Sequence, residues 1–109
     1  MIVRFAPKAS EELYAIAQHY AAIDRRLGCR ILDRLADISA LLVAHPQLGV
    51  TVSNGCRRVN LLQFPYAVFY RLDKAANIIW IVSVAHQRRR PDSWQNGIRE
   101  ESAVYLLAA

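Results

Sequence analysis

One stretch of this chain concentrates side chains able to do chemistry: Ser83-Val84-Ala85-His86-Gln87-Arg88-Arg89-Arg90-Pro91-Asp92-Ser93-Trp94. It joins an imidazole that titrates near neutrality to three consecutive guanidinium groups and an indole. Such a set suits phosphate or a carboxylate-rich segment, and the same residues also fit a solvated turn with Trp94 closing the core. Other chemistries find no support. The glycines, at 28, 49, 55 and 97, build neither a phosphate-cradling loop nor a dinucleotide turn. His19, His45 and His86 have no ligand-type spacing with cysteines or carboxylates, so no metal is expected. Neither a serine nucleophile elbow nor an acidic pair of the glycosidase kind stands out, and no cofactor is expected.

The distribution of charge points to the same region. The chain carries 14 basic and 9 acidic residues, a net charge of +5. Met1 to Ser53 is nearly balanced, Asn54 to Arg90 holds seven basic residues against one acidic, and Pro91 to Ala109 is net acidic. Twelve of the cations are arginine, the side chain that pairs in a planar fork with phosphate or carboxylate. An acidic protein segment or a nucleic acid is therefore a fitting partner, as is plain solvent.

These residues need a scaffold, and 109 residues suffice for one domain spanning 1–109. Apolar residues at 54% and charged residues at 21% describe an ordinary globular chain. Cys29 and Cys56 lie far apart, which fits reduced thiols in a cytoplasm better than a disulfide framework. The N-terminus lacks the apolar core of a signal peptide, and the longest strongly apolar run, Ile78 to Ala85, is far shorter than the ~20 residues a spanning helix needs. Neither secretion nor a membrane partner is expected.

Hydrophobic periodicity predicts the elements. Ile2 to Phe5 reads as a strand, and Pro7 opens a helix in which Glu11 and Glu12 are expected to complement the N-terminal dipole. Leu13, Ile16, Ala17 and Tyr20 mark its buried stripe, and Ile31, Leu35, Ile38 and Leu42 mark that of a second helix after a break within Asp24 to Gly28. His45-Pro46-Gln47-Leu48-Gly49 stops it. After the Asn54-Gly55 turn come three extended runs, Cys56 to Phe64, Tyr66 to Leu72 and Asn77 to His86, an antiparallel meander with its last hairpin at Asp73 to Asn77. The last run is apolar on both faces, so it should be central, covered by the helices on one side and by something else on the other. That second cover is either the tail Ala103-Val104-Tyr105-Leu106-Leu107 or an external partner. The fold class is α+β: a strand, a helical hairpin packed on a small antiparallel sheet, and an apolar tail that is a candidate helix.

Taken in order, Phe5-Ala6-Pro7, Glu12-Leu13, Tyr20, His45-Pro46-Gln47-Leu48-Gly49, Phe64-Pro65-Tyr66-Ala67-Val68-Phe69-Tyr70-Arg71 and Val84 to Trp94 form a pattern that resembles the RelE/ParE family. These are small bacterial toxins of type II toxin–antitoxin pairs. The resemblance covers most of the chain and implies that the N-terminal strand joins the sheet. RelE-like members cut messenger RNA on the ribosome without metal, whereas ParE-like members poison DNA gyrase and need no hydrolytic site. Carried over by position, the RelE pattern places Arg58 on the first meander strand, Arg89 after the last strand, and His86 where other members have histidine or lysine. Asn60 and Ala67 stand where further cations are expected, and no tyrosine follows Arg89. Losing one positioned donor can cost ~10²–10³ in rate, so the resemblance leans toward the ParE-like branch.

That branch implies a toxin that binds DNA gyrase and is neutralised by a cognate antitoxin. Arg57, Arg58, Arg71, Arg88, Arg89, Arg90 and Trp94 are then the candidate contacts with partner or phosphate. The alternative is a ribosome-dependent nuclease of messenger RNA with His86 as acid or base and Arg58 and Arg89 as phosphate clamps. A non-toxic domain of the same fold that holds a partner is a further alternative.

Overall fold

The computed structural model describes residues 1–61 and 63–87. Strand β1 (Ile2–Phe5) leads into helices α1 (Pro7–Ile23) and α2 (Arg25–Ala44), followed by β2 (Val50–Thr51), a 3₁₀ turn, β3 (Cys56–Asn60), β4 (Tyr66–Asp73) and β5 (Ile78–His86). The strands form one sheet in the order β1-β5-β4-β3-β2. The expected meander is β3-β4-β5, and β5 is central, between β1 and β4. The sheet is mixed rather than wholly antiparallel. The helical hairpin carries the chain across one face, so that β1 ends up parallel to β5, from Ile2 opposite Ile78 to Phe5 opposite Ile81.

The hairpin turns at a single residue. Asp24 has extended backbone angles, its amide closes α1 by donating to the Tyr20 carbonyl, and its carboxylate caps α2 by accepting from the Arg26 amide at 2.9 Å. Asp24→Ala is expected to lower stability by about 1 kcal/mol, read as a shift in the urea midpoint at unchanged slope. Beyond the cap the helices approach closely. A methyl at Gly28 would lie 2.8 Å from the Ala21 methyl and 3.0 Å from the Ala17 carbonyl, so only hydrogen fits there.

Ile31, Leu35, Ile38 and Leu42 of α2 meet Val68, Tyr70, Ile79, Ile81 and Val84 of the sheet in the main core, with Leu13, Ile16, Ala17 and Tyr20 of α1 against its edge. Glu12 departs from its expected role at the helix start. Because β1 ends opposite Ile81, the edge of β5 beyond that point has no strand beside it among the described residues. The Glu12 carboxylate serves that edge, accepting from Ser83 Oγ at 2.8 Å and from the Val84 amide at 3.2 Å, with Lys8 Nζ 3.2 Å from its other oxygen. Buried Ser83 is thereby satisfied.

Two departures from the expected strands occur before β4. The Asn54-Gly55 turn closes a hairpin whose first strand, the two-residue β2, is too short to show a period, and both turn residues take positive φ (59° and 73°). Strand β3 stops at Asn60 rather than running to Phe64, because the chain must turn before Pro65, where Gln63 adopts φ 70°.

Candidate interaction surfaces and the placement of the charged residues

Strand pairing decides which charged side chains can meet. Val68 and Tyr70 of β4 face the helices, and Ala67 and Phe69 face away, in a second buried cluster. Arg58 pairs with Phe69 and Asn60 with Ala67, so both belong to the face away from the helices. Arg71, paired with Cys56 and Trp80, lies on that face too. Arg58 Nε is buried without a hydrogen-bond partner.

His86 goes to the other face. Between Phe69 and Tyr70 the register with β5 slips, Phe69 pairing with Ser83 and Tyr70 with Ile81, so Val82 is an extra residue in β5. This bulge reverses the alternation, and His86 pairs with Tyr66 on the helix side. Its ring stands edge-on to Tyr66 at 5.4 Å. Tyr66 is edge-on to Tyr20 at 6.3 Å, and Tyr20 to Phe64 at 5.3 Å. His86 therefore joins an aromatic cluster that fastens α1 to the sheet. Of the three candidates for RNA cleavage, the two described ones stand on opposite faces; Arg89 lies outside the described residues, as do Arg88, Arg90 and Trp94.

Arg57 has an architectural task. Its Nη1 donates to the Gly49 carbonyl at 2.9 Å and to the Gln47 carbonyl at 3.3 Å. On the same loop, the buried Tyr70 hydroxyl accepts from the Gly49 amide at 2.7 Å and donates to the Pro46 carbonyl at 2.9 Å. Burial pushes the Tyr70 phenol above its ordinary value, while the Gly49 hydrogen bond and the Arg57 charge pull it down. The segment His45 to Gly49 is thus more than a helix stop: Tyr70 and Arg57 grip it against the sheet.

Along the outside of the helical hairpin runs an apolar groove of 440 Å³, floored by Ala17, Ala21 and Gly28 and walled by Leu13, Tyr14 and Leu32. Tyr14 is 67% exposed and Leu32 45%. Arg25 stands at its edge, with Arg26 and Arg30 exposed nearby. The available signal was the set of small residues, Ala17, Ala21 and Gly28, on facing turns of the two helices. Core periodicity alone does not reveal that their close approach leaves a channel outside. Among the described residues no group of His, Cys, Asp or Glu is placed to hold a metal ion, and no helix is long and apolar enough to cross a membrane.

Residues 3–91 match the family model described as the ParE toxin of type II toxin-antitoxin system, parDE. A solved structure described as the chromosomal ParDE TA system from P. aeruginosa superposes with a TM-score of 0.66 at 21% identity, covering 79% of this chain and 95% of the other. At that identity the likeness concerns the fold. No curated protein matches the sequence.

Proposed function

Because this chain belongs to the ParE toxin family of type II toxin–antitoxin systems, we propose that it arrests bacterial growth by binding DNA gyrase in the cytoplasm and that a cognate antitoxin neutralises it. The observation that carries a binding mode of action is the separation of His86 from Arg58 by the full thickness of the sheet. RNA cleavage needs a base for the 2′-hydroxyl, cations at the phosphate and an acid for the leaving oxygen, all converging on one point. On the face that Arg58 shares, Asn60 and Ala67 occupy the positions where the RelE pattern has further cations, and neither offers charge or a titrating proton.

The antitoxin's place is the hairpin groove. Its apolar walls and basic margin suit an amphipathic helix that turns an apolar face inward and carries acidic residues toward Arg25, Arg26 and Arg30. Arg58 and Arg71, with Arg88, Arg89, Arg90 and Trp94 beyond the described residues, are the proposed contacts with acidic or phosphate groups of the target.

The test is a supercoiling assay with purified gyrase, relaxed plasmid and ATP, titrated with this protein alone and with its antitoxin. Inhibition by the free protein, relieved by the antitoxin and retained in His86→Ala, is the expected result. If folded, antitoxin-free protein leaves supercoiling untouched and instead cuts ribosome-bound messenger RNA in a His86-dependent way, the gyrase reading fails.

A further inference from the structure

The sheet has two faces, and the helices account for one. On the other, Cys56, Ala67, Phe69, Trp80, Val82 and Ala85 form a second cluster. Cys56 and Val82 are 0% exposed, and even Trp80 only 6%. Among the described residues, Val52 and Ile78 are the further hydrophobic side chains packed against it, and both are only partly buried. Two partly buried aliphatic side chains at the margins cannot by themselves exclude water from a floor that includes a phenyl ring and an indole. The cover has to come from elsewhere.

We propose that this face is an intramolecular docking site for the chain's own C-terminal segment, Glu100 to Leu107. Its order of residues is complementary to the face. Glu100 and Glu101 precede the apolar run Ala103-Val104-Tyr105-Leu106-Leu107, and the face sets an apolar floor beside the cations of Arg58 on β3 and Arg71 on β4. The reach is ample. Residues 88–99 follow the described end of the chain, and even at half the ~3.3 Å per residue of an extended chain they cross a four-strand width of ~15 Å. The segment lies beyond residue 91, where the family match ends. The docked segment covers the side of the sheet that holds Arg58 and Asn60, so a ligand reaching those residues has to displace it.

The two native thiols make the test direct. Cys29 is exposed on α2 and Cys56 is buried in the second face. In a Cys29→Ser background, Cys56 reports the cover through its rate of reaction with a thiol reagent, and with Trp94→Phe the emission of Trp80 reports it independently. Leu106→Asp combined with Leu107→Asp is expected to raise the Cys56 rate ~10-fold or more and to shift Trp80 emission to the red, with the far-UV signal of helix and sheet retained. Glu100→Arg combined with Glu101→Arg removes charge complementarity without touching the apolar run, and is expected to raise the rate ~3-fold; it serves as the reporter should the first variant fail to fold. Unchanged Cys56 reactivity in a folded form of either variant overturns the proposal. So does protection that weakens on dilution of the unsubstituted chain, which would assign the cover to a second copy.

Discussion

Gly49→Ala is expected to lower stability by about 2–4 kcal/mol, although the change adds a single methyl group. A Cβ at this position would sit 2.7 Å from Tyr70 Cε1, 2.8 Å from its hydroxyl oxygen and 2.9 Å from the Arg58 carbonyl. Two of those atoms belong to a ring that is 0% exposed and one to a strand backbone, so nothing can swing aside. Either the ring moves and forfeits its bonds to Gly49 and Pro46, or the loop lifts away and Arg57 loses its carbonyls. Tyr70→Phe isolates the hydrogen-bonding part, leaving the Gly49 amide and the Pro46 carbonyl without their partner at a cost of about 1–3 kcal/mol. The double variant is expected to lose less than the sum of the single losses, because both act on one clasp. Urea midpoints at constant slope provide the measurement; a loss below ~0.5 kcal/mol for Gly49→Ala would show that the loop relaxes freely. The clasp also has an alkaline limit. With the phenol raised in the folded chain, its contribution is complete below the unfolded value of 10.0 and declines as pH rises through the folded value. Tyr70→Phe should remove that part of the alkaline decline.

Tyr14→Glu combined with Leu32→Glu is expected to weaken antitoxin binding ~100-fold or more while leaving the fold intact. Both side chains project from the walls of the hairpin groove into solvent, so their replacement in the free protein costs little beyond ~0.5 kcal/mol. In the complex the same two carboxylates would be desolvated against the apolar face of the bound helix, beside a partner chosen to be acidic where it meets Arg25. Titration calorimetry of purified toxin and antitoxin gives the affinity, and thermal unfolding of the free variant checks the fold. Affinity within ~3-fold of the unsubstituted protein would move the antitoxin to another surface. The choice of exposed positions matters: substitutions at Ala21 or Gly28 would disturb the helix contact itself, where a methyl added at Gly28 would lie only 2.8 Å from the Ala21 methyl.

The elements of the fold were legible because their signals are local. Four apolar residues at helical spacing on α2, Ile31, Leu35, Ile38 and Leu42, all prove buried. Pro46 ends that helix, and Asn54-Gly55 supplies the positive φ angles a tight hairpin needs. The central position of β5 follows from an apolar run without alternation, which only a strand covered on both sides can tolerate. Strand β2 escaped notice because two residues show no period. The parallel pairing of β1 escaped because it joins residues more than seventy positions apart, through a crossover whose geometry no short window contains.

Sequence alone therefore determined the buried stripe of α2, where the helices start and stop, and which family pattern the chain carries, since periodicity, proline and turn chemistry act over a few residues; the α1 stripe Leu13, Ile16, Ala17 and Tyr20 is only partly buried. It could list His86, Arg57 and Arg58 as chemically capable, but it could not say whether they meet. That outcome was decided by tertiary structure at one extra residue, Val82. In an unbroken strand, His86 and Ile81 would point to opposite sides, placing the imidazole with Arg58. The bulge reverses the order and turns it toward Tyr66, while Arg57, one residue from Arg58, turns to the loop carbonyls. A side chain's face depends on the parity of every residue between it and the core, and parity is set by cross-strand pairing rather than by residue type.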